Sequence, residues 1–268
     1  YDPEPYLNWM KRNNYMVPIV AVVAYVLFVF VIGPKFVEMR GKPFVLNGPL
    51  ALWNLFLSVF SFWGASRTVP HLLYRISTQS FEDTVCLSPH VAFGGGAVGL
   101  ATQMFILSKI PELIDTVFLV LKKKPVIFLH WYHHVTVLLY CWNSYVTESA
   151  AGLYFVSMNY CVHALMYFYF FLMAVKMVPK WFNPFILTVF QISQMVVGTT
   201  VVGACIYYHY HGTKEYKFYL GTRKCNNLES NLIAGGIMYA SYLYLFLEFA
   251  VKRFFLGVND YEKKPKKE

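Results

Sequence analysis

The sequence predicts an all-α integral membrane protein with seven transmembrane helices. Apolar residues make up 57% of the 268 positions, whereas soluble domains contain roughly 45–50%. Charged residues make up only 14%, against about 25% in soluble domains. Apolar runs long enough to cross a bilayer recur along the whole chain. This composition excludes a soluble fold, so we expect a single transmembrane domain over residues 1–268.

Seven predicted spans follow one another with short loops between them. The first ends at Ile32-Gly33-Pro34, where no small-residue cleavage site occurs, so we interpret it as a span and not as a signal peptide. The third is longer than a bilayer requires, which predicts that it tilts or protrudes. The predicted spans cover residues 16–33, 49–66, 91–121, 126–146, 150–175, 184–208 and 230–256.

The charge distribution predicts the orientation of these spans. If the N-terminus is luminal, seven spans place the C-terminus in the cytosol. The cytosolic segments then hold fourteen basic and four acidic residues, and the luminal segments hold eight basic and seven acidic residues. This asymmetry obeys the positive-inside rule only in that orientation. The net charge of +9 therefore reflects membrane topology, and we expect no nucleic-acid partner.

The lysine-rich tail over residues 257–268 is predicted to be cytosolic. Lys264 and Lys266 stand five and three places from the end, which is the pattern of a dilysine retrieval signal. Such a signal indicates the endoplasmic reticulum membrane, whereas a merely solvated lysine tail would show the same residues.

Two cysteines fall in the longer loops on the predicted luminal side. Cys86 precedes the third span and Cys225 precedes the seventh, in a compartment that permits oxidation. We expect a disulfide between them, and two free surface thiols are the alternative. The other cysteines, Cys141, Cys161 and Cys205, lie within spans.

Ionisable and amide side chains recur inside four predicted spans. A charged side chain at the bilayer centre costs roughly 2.5–3.5 kcal/mol on insertion scales, so such residues must face a protein interior. Spacings of three, four and seven residues place them on one face of each helix. We therefore expect one polar chamber that opens toward the cytosol. Its members are Lys109, Glu112, Asp115 and Thr116 in the third span, His130, His133 and His134 in the fourth, Asn159, His163 and Tyr167 in the fifth, and Gln191 and Gln194 in the sixth.

These polar segments resemble the signature motifs of the ELO family of very-long-chain fatty acid elongases. The resemblance implies a seven-helix fold in which helices 2–7 ring a narrow acyl tunnel. It also implies a condensing reaction, in which acyl-CoA and malonyl-CoA give 3-oxoacyl-CoA, CO₂ and CoA without a further cofactor. The segment around His130 is most similar to the branch that handles saturated and monounsaturated acyl chains. The motifs read Lys109-Ile-Pro-Glu112-Leu-Ile-Asp115-Thr116, His130-Trp-Tyr-His133-His134, Val162-His163-Ala-Leu-Met166-Tyr167 and Thr188-Val-Phe-Gln191-Ile-Ser-Gln194.

The implied reaction is a decarboxylative Claisen condensation, which needs an acyl acceptor and groups that stabilise an enolate. Desolvation keeps a buried imidazole neutral and nucleophilic, so we expect His133 to carry the acyl group. His163 would assist on the malonyl side, and the assignment of nucleophile and base among the histidines stays open. His130 and His134 would orient groups or carry protons. Amides suited to donate to thioester or enolate oxygens are those of Asn159, Gln191 and Gln194.

The remaining polar residues are assigned to substrate binding. Lys109 and Glu112 form either a structural ion pair in the third span or a substrate contact. Asp115 and Tyr167 belong to the same chamber. Basic residues on the cytosolic rim would meet the phosphates of CoA, whereas membrane topology alone would explain any single one of them. They are Lys122, Lys123, Lys124, Lys180 and Arg253.

A membrane di-iron desaturase or hydroxylase is the nearest alternative, because histidines three and four residues apart also suit a metal. Too few histidines lie near the cytosolic side to ligate two iron ions, because those outside the fourth and fifth spans fall on the luminal side. We therefore expect no metal site. A seven-helix receptor or a transporter shares the span count. A transporter would show paired broken helices in its two halves, which the sequence pattern does not show, and a receptor has no evident use for four polar segments near the cytosol. The expected partners are acyl-CoA, malonyl-CoA and the lipid bilayer, with other elongation-cycle enzymes and a homodimer as further candidates.

Overall fold

The computed structural model is a bundle of helices that describes residues 1–218 and 221–257. Apart from Gly257, the predicted lysine-rich tail lies outside the described residues. A two-stranded hairpin connects the last two long helices. The elements are α1 (Glu4–Arg12), α2 (Met16–Leu27), α3 (Gly33–Arg40), α4 (Asn47–Thr78), α5 (Phe81–Cys86), α6 (Pro89–Ala92), α7 (Gly96–Ser108), α8 (Ile114–Leu121), α9 (Phe128–Val146), α10 (Gly152–Ala174), α11 (Phe185–His211), β1 (Tyr216–Phe218), β2 (Gly221–Arg223) and α12 (Glu229–Ala250).

Within the described part of the chain, five helical stretches are long and apolar enough to cross a membrane. The surface of the bundle is apolar and its interior holds polar groups, since Leu52 and Phe62 are each 70% exposed whereas Gln103 and Lys109 are each 2% exposed. This inverted pattern is that of a multi-pass helical membrane protein. The five stretches are Met16–Arg40, Asn47–Thr78, Gly152–Ala174, Phe185–His211 and Glu229–Phe255.

The first of these stretches continues past the predicted end of the first span at residue 33. A π-helical segment, Phe28–Ile32, joins α2 to α3. The wider turn accommodates Pro34, which lacks a backbone N–H, so the helix does not stop there. Gly33 allows a close approach to α8, because a Cβ at this position would lie 2.6 Å from Cγ1 of Val120.

The predicted third span, 91–121, is divided into separate helices. Gly96 has a φ of +60°, a left-handed conformation that separates α6 from α7. Further along, Pro111 begins a short 3₁₀ turn, Pro111–Leu113, between α7 and α8. Proline disrupts the helical hydrogen-bond pattern, which accounts for this second break. The second break falls among the polar residues that the sequence assigns to the chamber.

Antiparallel helix pairs hold the bundle together. The contacts between α4 and α10 are the most extensive, followed by those between α11 and α12. Both pairs use a glycine opposite a tyrosine, since any Cβ at Gly64 would overlap the ring of Tyr160, and any Cβ at Gly198 would overlap the ring of Tyr239. Small residues of this kind let helices approach closely in a membrane.

The alternating helix directions give the bundle two faces. The basic face contains Arg40, Lys122 and Lys176, at or just beyond the ends of α3, α8 and α10. The opposite one, here termed the disulfide face, contains the disulfide that Cys86 and Cys225 form in the structure. This bond joins the end of α5 to the segment before α12. The hairpin on the same face pairs β1 and β2 in antiparallel register.

Candidate active site

The break between α7 and α8 holds a buried ion pair. Nζ of Lys109 donates to both carboxylate oxygens of Glu112, at 2.8 and 3.0 Å, and to Oδ1 of Asn159 at 3.3 Å. Oγ of Ser108 donates to the same carboxylate at 2.7 Å. A buried ion pair is tolerated only when further hydrogen bonds satisfy both partners. These contacts meet that condition and join the helix break to α10.

His163 lies beside this pair on α10. The side-chain amide of Asn159 donates to Nε2 of His163 at 3.2 Å, which leaves Nδ1 to carry the proton of the neutral ring. Nδ1 faces Glu112 at 3.9 Å from its Oε2. The three residues and Lys109 form one group, here termed the carboxylate–histidine cluster. Its geometry fixes both the orientation and the tautomer of His163.

Both carboxylate oxygens of Asp115 accept hydrogen bonds from neighbouring helices. The indole Nε1 of Trp53 donates to Oδ1 at 2.7 Å, and the hydroxyl of Tyr167 donates to Oδ2 at 2.6 Å. Asp115 thereby ties α8 to α4 and α10. The sequence identified Asp115 and Tyr167 as chamber residues but did not single out Trp53, which lies in an otherwise apolar run.

The histidines at the start of α9 have different partners. Nε2 of His130 hydrogen-bonds with Oγ1 of Thr116 at 2.9 Å, and Thr116 hydrogen-bonds with the hydroxyl of Tyr25 at 2.9 Å. The rings of His130 and His134 are adjacent, with centroids 4.6 Å apart. The hydrogen bonds from Tyr25 to Thr116 and from Thr116 to His130 fix the position of His130. The helix α2 therefore contributes to the site, which the sequence did not indicate.

His133 differs from His130, because none of the described residues hydrogen-bonds its buried Nδ1. Its ring packs against that of Tyr242 with centroids 4.9 Å apart. Buried polar atoms usually have partners, so such an atom is available to a ligand. His133 lines a cavity of about 40 Å³, here termed the histidine cavity, together with Asn159 and Gln194.

Gln191 and Gln194 do not occupy equivalent positions. Gln194 is buried and lines the histidine cavity. The amide of Gln191 instead donates to Sδ of Met166 at 3.4 Å. Of the two glutamines in this motif, only Gln194 lies beside His133.

A second cavity, of about 80 Å³, adjoins the histidine cavity on the side of the disulfide face. Its lining is largely apolar, so we term it the apolar cavity. Four residues line both cavities and form the partition between them: Phe105, Tyr140, Cys141 and Phe155. Cys141 is therefore close to the site, although it lies outside the four polar motifs of the sequence.

The predicted CoA-binding residues lie at the basic face. Lys122 donates to Oδ1 of Asn47 at 2.8 Å, and Lys123 follows it with a φ of +50°. Lys124, Lys180 and Arg253 lie in the connecting segments and the π-helical turn, Val251–Phe255, at the same face. None of these five residues lines either cavity.

The remaining described histidines have positions away from His133. Nε2 of His71 hydrogen-bonds with the carbonyl oxygen of Ala92 at 2.7 Å, and Nε2 of His90 lies 2.9 Å from Oε2 of Glu148. No group of three or more histidine, cysteine, aspartate or glutamate side chains is arranged to hold a metal ion in residues 1–218 and 221–257.

Comparisons with known proteins place the chain among a single set of relatives. The family model described as "ELO: GNS1/SUR4 family" matches residues 10–267. The chain is 42% identical over 226 residues to "Very long chain fatty acid elongase 4" of Trypanosoma cruzi, covering 84% of this chain and 75% of the relative. It is 39% identical over 231 residues to "Very long chain fatty acid elongase 6" of Drosophila melanogaster, covering 86% and 69%. A relative with the same name in Gallus gallus is 38% identical over 244 residues, covering 91% and 86%.

Proposed function

Because the chain belongs to the ELO (GNS1/SUR4) family, whose members here are fatty acid elongases, we propose that it catalyses the condensing step of elongation. The reaction joins a long-chain acyl-CoA to malonyl-CoA and gives 3-oxoacyl-CoA, CO₂ and CoA. The observation that carries the proposal is the buried His133, whose Nδ1 has no hydrogen-bond partner among the described residues. It lies in a cavity beside two amides and next to a larger apolar space.

In the first half-reaction, a ring nitrogen of His133 attacks the thioester carbonyl. A carbon–nitrogen bond forms, the carbon–sulfur bond breaks, and the CoA thiolate takes the proton that the imidazole loses. The acyl chain then extends from the histidine cavity into the apolar cavity past the partition residues. The amide of Gln194 lines the same cavity and is suited to donate a hydrogen bond to the acyl oxygen.

In the second half-reaction, malonyl-CoA loses CO₂ and the electron pair of the broken bond forms an enolate. The enolate carbon attacks the acyl carbonyl, and the carbon–nitrogen bond to His133 breaks. The departing imidazolate takes one proton from the solvent, which restores the neutral imidazole. The carboxylate–histidine cluster adjoins the histidine cavity through Asn159 and holds His163 in one tautomer. We assign it to the malonyl side, with Lys109 and Glu112 as the structural pair that orients it.

The same proposal includes the arrangement of the whole protein in the membrane. Residues 1–268 form one domain of seven spans, and spans two to seven surround the acyl tunnel. The basic face lies in the cytosol and binds CoA through Lys122, Lys123, Lys124, Lys180 and Arg253, and the disulfide face lies in the lumen of the endoplasmic reticulum. Other elongation-cycle enzymes and a second copy of the chain are the candidate protein partners.

The test is a condensation assay on protein purified in detergent, with acyl-CoA and labelled malonyl-CoA. We expect 3-oxoacyl-CoA from the unchanged protein and none above background from His133→Ala. After incubation with acyl-CoA alone, mass spectrometry should find an acyl adduct on the peptide that contains His133. His211→Ala, at the end of α11 on the opposite face, is the matched control. If His133→Ala retained turnover, the acyl group would have to be carried by another nucleophile, and Cys141 is a candidate in the lining of the same cavity.

A further inference from the structure

The apolar cavity ends against α1 at the disulfide face. This short helix is amphipathic: Leu7 and Met10 are buried, whereas Tyr6 and Trp9 are about half exposed. Leu7 contributes to the cavity lining, together with residues of α7, α9 and α10. Leu7, on the buried side of α1, therefore forms part of the cavity wall, beside Pro89, His90 and Phe93.

Charged and apolar contacts hold α1 in this position. Nζ of Lys11 lies 2.5 Å from Oε1 of Glu148, and Nε2 of His90 lies 2.9 Å from the other oxygen of the same carboxylate. Met10 is fully buried and packs in a cluster that includes Trp142. Glu148 follows the end of α9, so the wall is attached to the helix that carries His133.

The length of α9 gives the distance between the reacting group and this wall. His133 and Val146, the last residue of α9, are thirteen residues apart, which at 1.5 Å per residue corresponds to about 20 Å. An extended alkyl chain with carbon–carbon bonds of about 1.5 Å rises roughly 1.3 Å per carbon, so about 15 carbons beyond the carbonyl cover this distance. The methyl end of a chain of that length, attached at His133, would reach α1.

We propose that α1 is the stop that limits acyl chain length, with the side chain of Leu7 in contact with the methyl end of the longest accepted substrate. This inference rests on the proposed function, because it places the acyl carbonyl at His133. It assigns a specificity role to a helix that lies outside all four polar motifs.

Substitutions at Leu7 test the stop in opposite directions. Leu7→Trp should lower kcat/KM for the longest accepted acyl-CoA by about tenfold relative to a chain four carbons shorter, which corresponds to losing roughly two buried methylene groups. Leu7→Ala should shift the optimum toward longer chains. Tyr6→Trp, on the exposed side of the same helix, should leave the length profile unchanged. Unchanged profiles in both Leu7 variants would overturn the inference.

Photocrosslinking of the unchanged protein with a labelled acyl-CoA tests the same point without turnover and without any substitution that could affect folding. An acyl-CoA of about 16–18 carbons with a diazirine on its terminal carbon should crosslink to α1, and one of about 10 carbons should crosslink near Phe105 and Phe155. Crosslinks of the long probe to α11, α12 or the 209–229 segment, or no crosslink at all, would overturn the stop. A protein that crosslinks as expected but forms no 3-oxoacyl-CoA would instead contradict the proposed reaction.

Discussion

At the scale of single residues, the histidines of the site are distinguished by their partners. His130 and His163 each have a ring nitrogen in a hydrogen bond, with Thr116 and with Asn159. The buried Nδ1 of His133 has none among the described residues. A nucleophile must have a ring nitrogen free for the substrate, whereas an orienting or proton-carrying group is better held in place. This difference is why we assign the acyl group to His133.

Tyr25→Phe tests whether the two hydrogen bonds that join Tyr25, Thr116 and His130 position the imidazole of His130. The change removes the hydroxyl that bonds to Thr116, and a typical hydrogen bond of this kind is worth about 1 kcal/mol. We expect kcat to fall by about fivefold with little change in KM, because His130 loses a fixed orientation while substrate binding is retained. The measurement is steady-state condensation kinetics with acyl-CoA varied at saturating malonyl-CoA.

Tyr15→Phe is the control for this change, since Tyr15 is 75% exposed and lies one residue before α2. Thr116→Val should reproduce the effect of Tyr25→Phe, because it removes both of these hydrogen bonds. If Tyr25→Phe lowers the melting temperature but leaves kcat and KM unchanged, the hydroxyl stabilises the bundle and does not position His130.

At the scale of elements, the disulfide face is joined by covalent and polar links. The disulfide connects α5 to the segment before α12, and the side chain of Asn227 donates to the carbonyl of Val85 at 2.9 Å. Asp83 adds a second link, since Lys214 and Tyr216 donate to its carboxylate at 2.6 and 2.8 Å. These contacts hold the hairpin and its flanking segments over the ends of α5 and α11.

The stability of this face should depend on acid pH through Asp83. Partial burial raises the pKa of Asp83, but hydrogen bonds from Lys214, Ser80 and Tyr216 outweigh it and lower the pKa to about 2. The link therefore stabilises the fold fully above the unfolded pKa of about 3.9 and is lost as the pH falls toward 2. Asp83→Asn should lower the melting temperature at neutral pH and flatten its decline between roughly pH 4 and pH 2.

The matched control for Asp83→Asn is Glu38→Gln, an exposed carboxylate on the basic face. Melting curves of both variants and of the unchanged protein, recorded from pH 7 to pH 2, give the comparison. Parallel curves for Asp83→Asn and the unchanged protein across the acid range would show that the contacts of Asp83 do not stabilise the folded state.

At the scale of the whole molecule, the lysines of the basic face are separated from the histidine cavity. The histidine cavity lies inside the bundle, and the lysines at residues 122–124 lie at the basic face where α8 ends. A cluster of positive charges attracts an anionic substrate over a distance of about one Debye length, roughly 8 Å at physiological salt. In the proposed reaction both substrates carry CoA phosphates, so both should experience this attraction.

Replacement of Lys122, Lys123 and Lys124 together by glutamine should raise KM for acyl-CoA and malonyl-CoA severalfold with kcat nearly unchanged. Exposed charges interact by only about 0–1 kcal/mol each, so the combined effect is moderate. The dependence of KM on salt should also weaken in this variant. Arg67→Gln, an exposed residue on α4 in the half nearer the disulfide face, should change neither. Equal KM values in all three proteins would exclude these lysines from CoA binding.

The membrane class, the positions of the polar segments and the family were all predictable from the amino-acid sequence. Burial of Lys109 or Glu112 in a membrane is costly, so their presence in an apolar run already indicates a protein interior. The spacing of three and four residues also brought His130, His133 and His134 to one region of α9. The ends of the helices were predicted less accurately, because Pro34 does not end the first helix, whereas Pro111 breaks the predicted third one.

The pairing of the polar atoms and the positions of the cavities follow from the packing of the helices and were not predictable from the sequence. Periodicity identifies the face of a helix that is buried, but it does not identify the helix that packs against that face. For this reason Trp53 and Tyr25 were not expected beside Asp115 and Thr116. The contact of α1 with the apolar cavity depends likewise on the packing of four helices around it. Hydrogen bonds and cavity walls join residues that are distant in the chain, and such contacts exist only once the bundle has formed.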